Sequence, residues 1–485
     1  MIIMSPGQTE LPLGVGCETA PITESDPFLD FPKLEKHVSF DPELQYHKIE
    51  SSRSNQKRRV TKRVHILGLL SLFFGLLFFT HVWKVSEPDS DLYFISQIQH
   101  SYRHHPHITM CASPANHKTA TFTSNGIEQF SLNEILDSGG YFLLDIRGTI
   151  SLKSEASQDA AVVVDLSMTS YNIEMGAPHY DQSPTSLTIS TPELKNKSFM
   201  RRPYIDLQIT VHVKPGVKLE KFSVETRHLH IEIDSSLDLA VSNKTTLDAG
   251  SGHVNSPTAP AKFTSREKHI HSVSGGIRGS YSLEDVLSVS TASGGIHIFV
   301  LPKAVGEVFA PASFLARSGS GHVDVQFETF GAPEREYRVD VHAGSGGVSG
   351  TYIHGSRTSI VSGSGSKRIS VVPFDGSGGE LVTEGASGSN DVVVLRPLKE
   401  SKTLGPLRSS HRSVSGGLRL NYPREWAGTF EGSSVSGHLS AEGPGLEVDG
   451  GGGPGLKRVS GRSKLEGMAE LRFSSVSGGA RLVVG

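Results

Sequence analysis

From residue 251 onward the chain keeps returning to one short phrase: a serine, a glycine, a small or turn-forming residue, then a few residues that alternate apolar and polar. Ser251-Gly-His-Val254, Ser274-Gly-Gly-Ile277, Ser293-Gly-Gly-Ile-His-Ile298, Ser320-Gly-His-Val-Asp-Val325 and Ser345-Gly-Gly-Val348 are the clearest copies. Looser ones follow at Ser387-Gly-Ser-Asn-Asp-Val-Val-Val394, Ser415-Gly-Gly-Leu-Arg-Leu420, Ser436-Gly-His-Leu439 and Ser477-Gly-Gly-Ala-Arg-Leu-Val-Val484. Glycine turns a sharp corner, accepting positive φ without a Cβ penalty, serine bonds nearby backbone, and the alternating strand turns one face to a shared core. One such unit buries too little to stand alone, so the units must stack. Both a β-solenoid of parallel strands and a run of antiparallel hairpins satisfy the pattern, and the solenoid is preferred. A flexible Gly-rich linker would not place Val, Ile and Leu at alternate positions after each corner. The stretch from Gly443 to Arg462, with Gly450-Gly-Gly-Gly453 and Pro454, reads instead as a mobile loop.

At these residues the chain resembles the "putative adhesin" family of β-solenoid-like domains, which are marked by serial SGG or SGS turns each followed by an alternating strand. The resemblance covers about residues 245–485 and implies a surface- or envelope-associated, non-catalytic β-domain. The anchored layout described below also resembles membrane-anchored fungal members of that group. The spacing here is less regular than the family pattern, and no binding residues carry over, because the matched positions are structural.

Upstream, residues 117–250 read as a β-rich entry module capping the repeat domain of 251–485. Strand signals occur at Tyr141-Phe-Leu-Leu-Asp-Ile-Arg147, Ala161-Val-Val-Val-Asp-Leu-Ser167, Ile205-Asp-Leu-Gln-Ile-Thr-Val-His-Val213 and Leu229-His-Ile-Glu-Ile233, with a turn at Lys214-Pro-Gly216. The fold class expected is therefore mainly β, a stacked β-repeat ectodomain preceded by this module. To it are joined one transmembrane α-helix and a disordered N-terminal tail.

The helix is read from Ile66 to Val82, a run with no Lys, Arg, Asp or Glu and with Leu and Phe at most positions, placed within residues 65–84. About 65 polar residues precede it, too many for a cleaved signal peptide. Arg53, Lys57, Arg58, Arg59, Lys62 and Arg63 crowd its N-terminal flank, while Glu87, Asp89 and Asp91 follow it. The positive-inside rule then keeps residues 1–64 in the cytosol as a disordered tail and sends the C-terminal part to the cell surface or the secretory lumen. The basic cluster would also meet anionic head groups of the bilayer. Asn196-Lys-Ser198 and Asn243-Lys-Thr245 are N-glycosylation sequons, and both fall after the span. Residues 85–116 read as a polar stalk. Its His100, His104, His105 and His107, with Cys111 and His117, match no zinc spacing. The only two cysteines, Cys17 and Cys111, lie on opposite sides of the span. Cys111 is thus an unpaired thiol outside the cytosol, open to burial, capping or a disulfide with a second chain as a homodimer.

Chemistry-bearing motifs are sparse. The net charge of −3 gives no attraction to nucleic acid. There is no Gly-x-Ser-x-Gly elbow and no phosphate-binding loop. Asp89-Ser-Asp91 is the one Asp-x-Asp pair a glycosyltransferase could use, and it sits in the stalk without a βαβ pattern. Asp324, Asp340, Asp375 and Asp391 follow no paired motif of a polysaccharide hydrolase. His253, His297, His322 and His438 accompany the corners, without an aromatic row for sugar stacking. The expectation is a single-pass type II membrane protein with a non-enzymatic, adhesive or scaffolding ectodomain, whose ligand is a glycan or a wall or surface protein. No catalytic, metal or cofactor site is assigned. The alternative is a luminal carbohydrate-active enzyme of the same topology.

Overall fold

The computed structural model describes residues 114–135, 145–171, 179–190, 204–259, 262–304, 311–374, 378–399, 403–453 and 456–485. The apolar run 66–82, the basic cluster from Arg53 to Arg63, both cysteines and Asn196 lie outside these residues. Among the described residues no helix is long and apolar enough to cross a membrane.

All the described regular structure is β, arranged as one sheet of 15 strands and a second of 16. The chain winds between them. Lys262–Ser272 runs in the second sheet, the Ser-Gly corner at 273–276 turns the chain, and Ile277–Leu283 joins the first sheet. Val286–Thr291 then returns to the second sheet, parallel to Lys262–Ser272. Each following turn stacks on the last in parallel register, so the fold is β-solenoid-like. Antiparallel pairing is confined to the two ends.

Strand formation follows from period-two patterning. In Leu407–Ser413, for example, Leu407, Ser409, His411 and Ser413 point inward while Arg408, Ser410 and Arg412 face out. Inward positions on successive rungs line up into columns. Ile277, Ile296, Val323 and Val348 form one, and Leu418 and Ala480 continue it, all at most 2% exposed. Each large side chain so buried contributes about 1.5–3 kcal/mol. Lys367 and Asn390 occupy the two rungs between Val348 and Leu418 in this column.

The corner glycines serve a purpose different from the expected one. Gly252, Gly275, Gly294, Gly321, Gly346, Gly365, Gly388, Gly416, Gly478 and Gly437 stack in that spatial order. A Cβ built on any of them would fall inside 3.0 Å of the backbone carbonyl group stacked beneath it. Of these ten only Gly388 has positive φ, at 94°. The requirement is therefore close approach of rung to rung, and left-handed backbone is incidental to it. A hydroxyl three residues before the glycine completes the corner. Ser272, Thr291, Ser318, Ser362, Ser413, Ser434 and Ser475 are buried, and each accepts the glycine N–H at 2.8–3.2 Å. The first four also donate to the glycine carbonyl of the rung beneath, at 2.9–3.3 Å. Each such bond contributes on the order of 1 kcal/mol, so the row of hydroxyls ties corner to corner along the stack.

Chain order and spatial order part company at both ends. Gln129–Ile135 and Asp145–Ser154 lie between the coil of Ser186–Ser190 with Tyr204–Val213 and the coil of Val217–Thr226 with His230–Ile233. At the other end the last coil in sequence, Ala469–Ser475 and Ala480–Val484, slots between the coil of Leu407–Ser413 with Leu418–Tyr422 and the coil of Gly428–Ser434 with Leu439–Glu442. The stretch Gly443 to Arg462 corrects the loop expectation. Leu446–Gly453 and Leu456–Ser463 form an antiparallel hairpin on the edge of the second sheet. Backbone pairing needs no side chains, so Gly450 and Gly451 can sit opposite Val459 and Arg458.

One buried polar network gives the fold a pH signature. His411 Nδ1 lies 2.8 Å from Thr383 Oγ1 and its Nε2 lies 2.8 Å from Tyr422 Oη. Burial depresses the imidazole from its ordinary 6.5 to about 3. An unfolded chain binds a proton at His411 below pH 6.5, whereas the folded chain does not until about pH 3. Stability contributed by neutral His411 is thus full above 6.5 and falls as the pH drops toward 3, by up to about 5 kcal/mol. Urea unfolding of a His411→Leu variant is expected to show a shallower decline between pH 7 and pH 4 than the parent, and parallel declines would rule the assignment out.

Candidate binding trough on the first sheet

Each Ser-Gly corner leads into a first-sheet strand through a third residue, and these third residues form their own column. Backbone N–H···O=C bonds of 2.8–3.0 Å run from each strand's first residue to the corner of the next rung and order it as His322, Gly347, Ser366, Ser389, Gly417, Gly479, His438. Five small residues thus lie between two histidines. At about 4.8 Å per rung, the six steps from His322 to His438 span about 29 Å. Because Gly and Ser leave the corner unfilled, a trough of about 810 Å³ opens here.

One wall is the first outward-facing column of the same strands: Ser349, Arg368, Asp391, Arg419, Arg481 and Ser440 in spatial order. Arg368 and Arg419 are exposed on either side of half-buried Asp391. Arg481 pairs with Glu442. The wall therefore presents alternating charge with a basic excess over a floor of backbone and hydroxyls. At the His322 end the polar groups are already committed. His322 Nε2 lies 2.9 Å from Ser349 Oγ, which donates to Asp324 Oδ1 at 2.9 Å, and His297 Nδ1 is 2.9 Å from Asp324 Oδ2.

The histidines singled out from the sequence are thereby placed. His253, His322 and His438 are corner residues, whereas His297 is an outward strand residue. His253 stacks on His230 at 5.0 Å and 12°, and its Nδ1 accepts the Gly276 N–H at 2.8 Å while its own N–H donates to His230 Nδ1 at 3.0 Å. Burial, and then the neighbouring His253, hold the His230 imidazole below its ordinary pKa. Among the described residues no cluster of three or more His, Cys, Asp or Glu is arranged to hold a metal ion. His117 belongs to the first described strand, with Nδ1 3.0 Å from Thr169 Oγ1.

The carboxylates do not converge. Asp324 and Asp391 share the outward column of the first sheet but stand three rungs apart, about 14 Å, beyond the separation of a hydrolytic pair. Asp340 is in the second sheet, 2.7 Å from His342 Nε2, and Asp375 lies outside the described residues. Asn243 is exposed at a register shift between Val241 and Lys244, with Thr245 of its sequon buried. Sequence patterning missed three elements of this region. Ser364-Gly365-Ser366 is a full copy of the corner, concealed because Lys367 stands where an apolar residue was sought. Arg368 and Arg419 carry no motif of their own, and only the strand register sets them on either side of Asp391.

No known family profile matches the chain, and no curated protein matches it. Among solved structures, a "putative cell adhesion protein" from Clostridium sporogenes ATCC 15579 is 10% identical, with 76% of this chain and 100% of that chain covered and a TM-score of 0.14. A "putative adhesin" from Bacteroides fragilis NCTC 9343 is 13% identical, with 58% of this chain and 98% of that chain covered and a TM-score of 0.30.

Proposed function

We propose that this protein is a membrane-anchored, non-enzymatic adhesin-like receptor. Its β-solenoid-like ectodomain holds an extended polymer, a surface glycan or a wall or surface protein segment, along the trough. The observation that carries the reading is the trough itself: an elongated open groove with hydroxyls on its floor, charge along one wall and a histidine at each end of the corner column. Such a site suits a chain-like ligand better than a compact one, since repeating contacts about 4.8 Å apart match a polymer lying along the stack. The apolar run at 66–82 and the basic residues before it support type II anchoring, with Asn196 and Asn243 as glycan acceptors on the outer side.

The test fills the trough without touching the core. Ser366 and Ser389 are exposed, so Ser366→Trp with Ser389→Trp blocks the floor while leaving the buried columns intact. Residues 90–485, displayed on beads, are expected to retain wall polysaccharide or cells well above a scrambled-repeat control. The double variant is expected to fall at least tenfold toward that control. Equal retention by the parent and the scrambled control would remove the adhesive reading.

A further inference from the structure

Two adjacent rungs of the apolar column carry polar side chains, and both are buried without partners. Lys367 and Asn390 are each 1% exposed and lie in direct register across neighbouring parallel strands. Lys367 Nζ and both polar atoms of the Asn390 carboxamide have no hydrogen-bond partner. An orphaned buried group is costly, the more so when charged, and here three such atoms lie close together. The neighbouring rungs fill the same region with Ile296, Val323, Val348 and Leu418, so polarity is specific to this pair.

The facing sheet makes room for their meeting. At the position where other corners carry the buried hydroxyl of Ser272, Thr291, Ser318, Ser362 or Ser413, this rung has Gly385. A Cβ on Gly385 would collide with Lys367 Nζ and would lie 3.1 Å from Asn390 Oδ1 and 3.4 Å from Asn390 Nδ2. The two end groups therefore share one small chamber behind the first sheet.

We propose that Lys367 and Asn390 join in an intramolecular isopeptide bond. The neutral Nζ amine attacks Cγ of Asn390, and a proton passes from Nζ to Nδ2 in the tetrahedral adduct. The Cγ–Nδ2 bond then breaks and ammonia leaves. The Nζ–Cγ amide keeps one N–H and one carbonyl, nothing is oxidised or reduced, and no outside reagent is consumed. Burial lowers Lys367 to about 8, against the opposing pull of Glu384, so a usable fraction is the free amine at neutral pH. Register holds nucleophile and carbonyl together, which supplies the proximity that an uncatalysed amide exchange lacks. Exclusion of water suppresses hydrolysis of the new amide, and escape of ammonia removes the reagent that the reverse exchange would need.

The bond would staple two rungs immediately behind Arg368 and Asp391, and it does not depend on what the trough binds. Full-length protein, extracted, deglycosylated and digested with trypsin, is read by mass spectrometry. The expected result is a branched peptide joining the segments around Lys367 and Asn390, lighter than their sum by one ammonia, with no cleavage after Lys367. Lys367→Met and Asn390→Leu each abolish the branch. Recovery of the two segments as separate peptides from the parent protein, with Lys367 cleaved normally, overturns the proposal whether or not either variant folds.

Discussion

A chain that stops at Leu465 is expected to lose two coils from the stack, although only one has been deleted. Ala469–Ser475 and Ala480–Val484 stand between the coil ending at Tyr422 and the coil of Gly428–Ser434 with Leu439–Glu442. The latter strands pair only with these two and with the hairpin strand Leu456–Ser463. Without the inserted coil, they have no hydrogen-bonded neighbour on the side of the stack. The direct loss includes burial of Leu471, Phe473, Leu482 and Val484, about 6–12 kcal/mol in all. Limited proteolysis should cut the shortened chain throughout 426–463 at the rate of an unfolded segment, while residues up to about 422 stay protected. Continued protection of 426–463 would mean that this coil can dock directly on its sequence neighbour, contrary to the register.

The second large effect is a single methyl group. Gly321→Ala is expected to destabilise the protein by at least about 3 kcal/mol in urea unfolding. The added Cβ would enter a space already taken by the Gly294 carbonyl group and the Gly295 nitrogen, and neither is the end of a flexible side chain. Gly321 does not adopt positive φ, so the cost is contact alone. Gly126→Ala provides the contrast, since Gly126 has φ of 60° and nothing within 4 Å of a Cβ. It should cost about 1 kcal/mol, the ordinary penalty for a side chain in left-handed backbone. Were the two variants equally mild, the rungs would have to be able to separate at the corners, and the glycine column would lose its explanation.

The repeat announced a stack of short strands because its punctuation is local: each Ser-Gly pair marks a corner and the alternating residues mark the strand, while the choice between parallel coils and antiparallel hairpins was settled only by the register. What depended on neighbours was harder to read. The buried hydroxyls of Ser272, Thr291 and Ser318 carry no apolar signal, since serine in a turn-rich segment reads as solvent-exposed. Their burial follows from bonds to a glycine three residues on and to the rung beneath. The trough was illegible for the same reason. Gly347, Gly417 and Gly479 are far apart in sequence, and Gly479 reaches its place only because the last coil is inserted out of order. Even the hairpin at 446–463 was hidden, because its glycines pair through the backbone while offering no pattern of side chains.

That hairpin also bears on how these molecules behave in a crowd. A parallel stack that simply stopped would offer its final strand as a template to any other copy, and growth could continue without limit, as in a fibril. Here the second sheet ends in a short ribbon running against the grain, and a glycine tract supplies part of its outer border. Such a border lacks the side-chain steps on which a recruited strand could interlock, and the reversed direction breaks the repeat that a newcomer would extend. The terminal ribbon thus interrupts the parallel repeat at that edge of the second sheet, while the first sheet ends on the parallel strand Leu439–Glu442.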